Sequence, residues 1–352
     1  QVRIAVALGD LRRLAGRFER RLPVGLHRLR EAAGQHQVAL LDAVAAGQVR
    51  GFSAPEIAEP LELAMTAGGG LLSEADLASY VVVEREPLQA TYRGAQLSTN
   101  PPPSFGGSIV LAALQELDRS ERLDGSPEAH IRLAEALVGL SERHAVAPQS
   151  IRGTTHVSVV DADGNVAAMT TSNGSCSGQF APDTGIQLNN AMGEADLHPA
   201  GFHATSPGTR VGSMMAPTLM VTEDGTTVSL GSGGSERIRS ALTCVITALL
   251  DRNMPLGVAL ASPRMHWDRE VLQVEPGIPG QSVDALRSRL PVHVWDRRDL
   301  YFGGAHAVAR TPSGHFTAAG DDRRAGIGVV LDVDGGLVRP SANPVEGYSP
   351  TT

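Results

Sequence analysis

Apolar and polar positions alternate most clearly in the middle of the chain. Thr154-Thr155-His156-Val157-Ser158-Val159-Val160 and Val166-Ala167-Ala168-Met169 flank Asp161-Ala162-Asp163-Gly164-Asn165, a pattern that predicts a β-hairpin. Upstream, Val2, Ile4, Val6 and Leu8 read as a short strand, followed by Leu11, Leu14, Phe18 and Leu22 at helical spacing. Residues 37–80 are helical in pattern, interrupted by Gly68-Gly69-Gly70, with Ser73 three before Asp76 as an N-cap signal. Strands are expected at Val81-Val82-Val83, at Leu88 to Tyr92 and at Gln96 to Thr99, the last two joined by Arg93-Gly94. A loop, Pro101-Pro102-Pro103-Ser104-Phe105-Gly106-Gly107, then leads into an apolar helix from Ile109 to Leu117.

After a polar stretch with a helix near 128–144, the hairpin follows directly on Gly153. Further on, Ser213-Met214-Met215-Ala216-Pro217-Thr218 enters a strand, and a turn at 223–225 joins it to the next. That second strand ends in Leu230-Gly231-Ser232-Gly233-Gly234-Ser235-Glu236-Arg237-Ile238, which opens a long apolar helix through Leu250. The remainder alternates short elements, including strands at 271–275, 303–308 and 326–330 and a helix at 283–290.

Composition narrows the partners. Hydrophobic residues make up 42% and charged residues 19%, ordinary for a globular protein. The formal net charge is -8, every basic side chain is arginine, and aromatics are only 4%. That balance argues against nucleic acid as a partner, since phosphate and base contacts favour the opposite. No apolar run approaches a membrane span. No signal peptide is visible, which favours a cytoplasmic location, with secretion left open because the chain starts at Gln1. Cys176 and Cys244 have no metal-ligand spacing and read as ordinary packed residues.

The candidate chemistry centres on Thr154. Threonine is a good strand former, so its structural reading stands by itself. If the Gly153–Thr154 bond were cut, however, Thr154 would carry both a hydroxyl nucleophile and an α-amine able to act as its base. The small residues at 231–235, between a strand and a helix N-terminus, suit an oxyanion or a phosphate. His156, Asn189 and Asn190 read as structural, and Arg237, Arg264, Arg323 and Arg324 as buried ion-pair partners.

Taken together, Thr154-Thr155-His156 and its hairpin, Leu188-Asn189-Asn190 with Met192, Ser213 before Ala216-Pro217-Thr218, and Gly231-Ser232-Gly233-Gly234-Ser235 before Arg237-Ile238 resemble the γ-glutamyltranspeptidases. Upstream, Gly69-Gly70-Leu71-Leu72, Glu86-Pro87, Tyr92-Arg93-Gly94 and Pro101-Pro102-Pro103-Ser104 resemble the end of that family's large subunit. The resemblance covers roughly residues 50 to 350. It implies the N-terminal nucleophile hydrolase fold, an α/β (α+β) four-layer αββα sandwich. Residues 1–153 would be a large-subunit portion without the family's amino-terminal half, and 154–352 the small catalytic subunit. Both would come from one precursor cut between Gly153 and Thr154, together forming one αββα domain.

The resemblance also implies the site. Thr154 is the nucleophile, Ser172 its hydroxyl partner, and the N–H groups of Gly234 and Ser235 the oxyanion hole. Asn173, Glu194, Ser213 and Met214 fall at substrate-binding positions, Glu194 for an α-amino group and Ser213 for an α-carboxylate. The substrate would be a γ-glutamyl or acyl-amide small molecule, with no cofactor or metal and a homodimer of heterodimers as an allowed assembly. Met214, Gly174 and Ala191 stand where glutamyl-specific members carry polar side chains. The first reading is γ-glutamyl transfer or hydrolysis, as in glutathione metabolism. A specialised acylase or C–C bond hydrolase of antibiotic pathways comes second. A catalytically silent binding or scaffold relative is the reading from another class, and it predicts no cut at 153/154.

Overall fold

The computed structural model describes residues 4–9, 24–143, 153–194, 197–198, 200–332 and 337–338. Its helices are α1 (Val24–Ala45), α2 (Pro55–Gly68), α3 (Glu74–Ser79), α4 (Gly106–Asp118), α5 (Pro127–Arg143), α6 (Arg237–Leu250), α7 (Leu256–Ala261) and α8 (Gly280–Arg287). The strands are β1 (Ile4–Gly9), β2 (Leu88–Tyr92), β3 (Ala95–Thr99), β4 (Thr154–Val160), β5 (Val166–Ser172), β6 (Thr218–Val221) and β7 (Thr227–Gly233). They continue with β8 (Met265–Trp267), β9 (Leu272–Val274), β10 (Val292–Val294), β11 (Gly304–Arg310), β12 (Phe316–Ala319), β13 (Gly326–Leu331) and β14 (Leu337–Val338). The predicted helix after Leu11, the stretch 144–152 and Asp196 lie outside the described residues.

The chain divides into two compact units, one of residues 1–11, 85–172 and 192–352, the other of 12–84 and 173–191. This division runs across the expected 153/154 boundary, because strands from both sides of that bond share sheets. In the first unit a five-stranded antiparallel sheet, β14-β13-β1-β4-β5, stacks on a six-stranded antiparallel sheet, β12-β11-β7-β6-β3-β2. A smaller sheet, β10-β9-β8, lies beside them. The α+β architecture with stacked antiparallel sheets is the one expected.

Each strand of the six-stranded sheet has two inward faces to fill. One face meets α4, α5 and α6 in the main core, where Leu97, Met220 and Leu230 pack with Ile109, Leu114, Ile238 and Val245. α6 is buried nearly all round, including Arg237, Arg239 and Ser240 of its first turn and the threonines Thr243 and Thr247. The other face meets the five-stranded sheet. Val160, Val308 and Phe316 fill one end of that layer. The other end is polar and holds His156, Ser158, Ser229 and His306, all buried.

Charged side chains are buried where they are paired. Arg323 grips Glu275 through two nitrogens at 2.7 Å each, and reaches Asp321 at 3.1 Å. Asp321 also pairs with Arg264 and accepts the Ala305 N–H at 3.0 Å, so its carboxyl is held down at about 2 despite burial. This cluster ties β11 to the β12–β13 turn and bears out Arg264 and Arg323 as ion-pair residues.

The second unit has its own small core of Val49, Ile57, Leu61 and Ala181. The Ser73 cap is present: its hydroxyl accepts the Asp76 N–H, and the Asp76 carboxylate accepts the Ser73 N–H. Val81-Val82-Val83, expected as a strand, is not one. These valines are 67%, 82% and 42% exposed and follow α3 outside the sheets of the described residues. β-propensity without a ladder partner does not make a strand.

Candidate active site

Position 154 is fixed by the hairpin register. Thr154 opens β4 opposite Ser172, the last residue of β5, and its hydroxyl donates to Ser172 Oγ at 3.0 Å. Strand periodicity places Thr154, His156 and Ser158 on the same face of β4. Across the inter-sheet layer they meet Gly233, Gly231 and Ser229 of β7, which are likewise two apart. A Cβ at Gly233 would lie 2.3 Å from the Thr154 carbonyl oxygen, and one at Gly231 2.2 Å from the His156 ring. Ser229 Oγ and Ser158 Oγ are hydrogen-bonded at 2.9 Å. The glycines expected in a loop are therefore strand residues, chosen because the facing sheet approaches too closely for any side chain. A Gly233→Ala variant is expected to lose at least roughly a hundredfold in turnover, since an ångström-scale displacement of the nucleophile costs about that much. Steady-state kinetics beside a thermal-unfolding control would check it.

His156 is fully buried, with Nδ1 2.8 Å from Thr170 Oγ1 and Nε2 2.8 Å from Ser158 Oγ. Burial, reinforced by the charge of nearby His306, pushes its pKa down to about 3, so it is neutral at physiological pH. Both ring nitrogens are occupied by hydroxyls of the hairpin itself. Its part is to hold β4 and β5 in register beneath Thr154, in line with the structural reading.

The strand becomes helix through two residues with positive φ, Gly234 at 136° and Ser235 at 57°. Their carbonyls accept from Arg237 and Ile238 at 3.1 and 3.0 Å, which starts α6. Among the described residues, the N–H groups of Gly234 and Ser235 donate to no protein acceptor, although both residues are buried. Adjacent buried donors at a helix N-terminus, immediately after the residue packed on Thr154, suit a developing oxyanion. Arg324 adds positive charge: a Cβ on Gly234 would lie 3.4 Å from its Nη2. Burial, then the neighbouring Arg237, lowers the Arg324 pKa to about 10, which leaves it cationic. Glu236 closes the turn in ion pairs with Arg269 at 2.6 Å and Arg239 at 3.8 Å.

Ser235 sits in the left-handed region, where a side chain costs on the order of 1 kcal/mol. Ser235→Gly is expected to raise stability by about 0.5–1 kcal/mol and leave turnover unchanged, because the donor is the backbone. Urea denaturation and kinetics on one preparation would test both halves.

The expected substrate positions separate. Ser213 Oγ donates to Ser104 Oγ at 3.0 Å, and Ser104 in turn reaches the Ser213 and Met215 carbonyls. Ser104 thus anchors the Ser213 loop; its signal was the rigid triple proline before it. Met214 is 7% exposed and packs in the main core, and its carbonyl lies against Gly106. Glu194 is a buried carboxylate just after a short helical turn at Ala191–Gly193. Asn173 belongs to the other compact unit, where its Nδ2 lies 3.4 Å from the Gln187 carbonyl oxygen. Asn189 and Asn190 hold turns there, accepting from the Ala191 and Ser175 N–H groups.

The family description Gamma-glutamyltranspeptidase matches residues 31–144 and 139–331, most of the chain including every site residue above.

The chain belongs to the γ-glutamyltranspeptidase family.

It is 32% identical over 323 residues to the Acylase ACY 1 proenzyme of Pseudomonas sp. (strain SE83), covering 79% of this chain and 57% of that one. With the glutathione hydrolase proenzyme of Escherichia coli (strain K12) it shares 27% identity over 329 residues, covering 76% of this chain and 56% of that one. The chain thus spans little more than half the length of these relatives. The crystal structure of cephalosporin acylase from Bacillus halodurans superposes with a TM-score of 0.72 at 24% identity, covering 84% of this chain and 62% of that one. That likeness shows the shared fold, which in this family is that of the N-terminal nucleophile hydrolases.

Proposed function

We propose that the protein is an amidohydrolase and acyltransferase whose nucleophile is Thr154, freed by cleavage after Gly153. The observation that carries this reading is the apposition of the Thr154–Ser172 hydroxyl pair to the Gly234–Ser235 turn. While the Gly153–Thr154 bond is intact, the Thr154 nitrogen is an amide and cannot serve as a base. Cleavage turns it into an amine on the same residue as the hydroxyl, where it can take the Oγ proton.

The reaction then balances without any other group. Oγ attacks the amide carbonyl, the oxygen gains charge beside the two N–H donors, and the C–N bond breaks. The departing amine takes the proton held by the α-amine, leaving an ester on Thr154. Water or an acceptor amine attacks that ester, returns a proton to Oγ and releases the acid or a new amide. The proenzyme names of the relatives support processing into two subunits from one precursor.

A γ-glutamyl amide is the first substrate reading, supported by family membership and by the buried carboxylate of Glu194, which suits an α-ammonium group. A less polar acyl amide is the second. Met214 favours it, because a thioether packed in the core offers an α-carboxylate no hydrogen bond. The deciding experiment begins with intact mass and N-terminal sequencing. A fragment starting Thr-Thr-His supports the reading, and a chain uncut under all conditions sinks it. Hydrolysis of γ-glutamyl, glutaryl and butyryl anilides, which lose first the α-ammonium group and then the carboxylate, separates the two substrates: preference for glutaryl or butyryl would overturn the γ-glutamyl assignment.

A further inference from the structure

α6 leads away from the oxyanion turn, and its far half borders a cavity that the proposed chemistry does not use. Thr247 lies about 15 Å further along the helix than Arg237, at 1.5 Å per residue. The cavity has a volume of about 410 Å³ and lies between α6, the start of α5, α7 and the turn at 277–279. Small-molecule sites occupy roughly 300–1,000 Å³.

The charged side chains of its lining are all engaged with protein. Asp124 accepts the Ser126 N–H at 2.9 Å and faces the charge of Arg132. Arg298 pairs with Asp322 at 3.4 Å and donates to the Ala261 carbonyl. Arg252 is partnered as well. Two guanidiniums repel a cation, and because both are engaged they leave no spare counter-charge for an anion. A charged ligand would therefore lose its hydration here without compensation, and the fitting occupant is neutral. The hydroxyls of the lining have also spent their protons. Thr247 Oγ1 donates to the Thr243 and Cys244 carbonyls at 2.9 and 3.0 Å, and Ser262 Oγ to the Val258 carbonyl at 2.9 Å.

His130 is different. Its Nδ1 lies 2.9 Å from the Ser126 carbonyl, an acceptor, which fixes the proton on that nitrogen. Burial, aided by the charge of Arg252, lowers its pKa, so the ring is neutral at physiological pH. Nε2 is then a bare acceptor that meets no donor among the described residues and is not enclosed by protein. A ligand with one O–H donor complements it. The remaining surface is apolar: Leu123, Cys244 and Met265 form a buried floor, with Leu133, Met254 and Val258 above it. Burial raises the Cys244 thiol pKa, so its sulfur stays protonated and joins two thioethers as soft, polarizable surface. Such sulfur packs favourably against aromatic rings.

We propose that this cavity is a second ligand site, for a neutral phenol carrying a short alkyl group. The hydroxyl donates to His130 Nε2, and the ring lies among the Cys244, Met254 and Met265 sulfurs. Leu133 and Val258 flank the alkyl group. The site is separate from the acyl-transfer centre and does not depend on how that centre is read.

Calorimetric titration of the full chain with p-propylphenol tests the assignment, beside its methyl ether, p-propylbenzoate and the saturated propylcyclohexanol. The ether should bind roughly tenfold more weakly, because it leaves the Nε2 acceptor unpaired. The benzoate, a charge without a partner, should bind about a hundredfold more weakly. The cyclohexanol should bind severalfold more weakly, having no ring face or edge for the sulfurs. His130→Leu should bring phenol and ether to within about twofold of each other. Val258→Trp, which fills the cavity, should abolish binding of both. An ether, benzoate or cyclohexanol that binds as tightly as the phenol would overturn the proposal. So would undiminished binding in Val258→Trp, or no binding at millimolar phenol. Should Val258→Trp fail to fold, Leu133→Trp fills the same space, and the ligand ranking in the unaltered chain still decides the chemistry.

Discussion

A Thr154→Ala variant is expected to remain one uncut chain and to lose at least about a thousandfold in turnover on any substrate the protein accepts. Both losses have the same origin. The hydroxyl that would open the Gly153 carbonyl is the one that would later attack the substrate. Its hydrogen-bond partner Ser172, 3.0 Å away on the neighbouring strand, would gain no α-amine from the cut. The oxyanion turn would survive in the variant, because Gly234 and Ser235 contribute backbone rather than side chains. Residual activity then measures what that turn contributes alone. Thr154→Ser retains an Oγ and is expected to be cut, more slowly. Mass spectrometry of both variants, followed by single-turnover kinetics, distinguishes the outcomes. Cleavage at 153/154 in Thr154→Ala, or turnover within tenfold of the unaltered protein, would refute the nucleophile assignment. An unaltered chain that stays uncut and shows no turnover would instead favour the silent-relative reading.

Stability is expected to collapse on mild acidification, because the interior holds histidines that must stay neutral. His156 and His306 are depressed to about 3 and about 4, in each case chiefly by burial. His266 is driven well below its ordinary value by burial and by Arg239, Arg237 and Arg269, and its Nδ1 is 2.8 Å from Ser240 Oγ. In the unfolded chain each titrates near 6.5. Above pH 6.5 both states bind no proton at these sites and stability is flat. Between 6.5 and the folded values the unfolded state takes protons that the folded state refuses, so stability falls with pH. The slope approaches about 1.4 kcal/mol per pH unit for each histidine. At pH 4.5 His156 and His306 alone amount to roughly 5 kcal/mol, a large part of the 5–15 kcal/mol that holds a typical domain, and His266 acts in the same direction. Below about pH 4, protonation of Asp321 in the unfolded chain adds to the loss, since its folded value is about 2. Urea midpoints measured from pH 7.5 to 4.5 should therefore drop steeply below pH 6.5. A flat profile down to pH 5 would show that these rings are not neutral and buried in the folded protein.

The polar layer responsible for that sensitivity was only partly legible in the chain. His156 could be recognised as pointing opposite to Thr155, yet nothing nearby indicated that Ser158, Ser229 and Thr170 would complete its hydrogen bonds. Gly231 and Gly233 read as a loop, because glycine weakens an isolated strand. They are strand residues because His156 and the Thr154 backbone occupy the space their side chains would need. Met214 stood at an expected substrate position, but the packing of the main core claimed its side chain. Val81-Val82-Val83 had the propensity of a strand but lies outside every sheet of the described residues.

What the sequence determined by itself was local and ordered: the hairpin opening at Thr154, the Ser73 cap, the strand-to-helix passage around Gly234, and the motifs that carry family membership. Each depends on residues a few positions apart, where side-chain periodicity and backbone preference act directly. The apposition that makes a site was decided by tertiary structure. Residues 154 and 233 lie on different sheets, and only the stacking of those sheets brings a hydroxyl and two N–H donors together. The same holds for Arg323 with Glu275, whose pairing offsets the cost of burying both charges. Periodicity along a chain tells which face is buried; which distant face it is buried against is set by the summed packing of both layers.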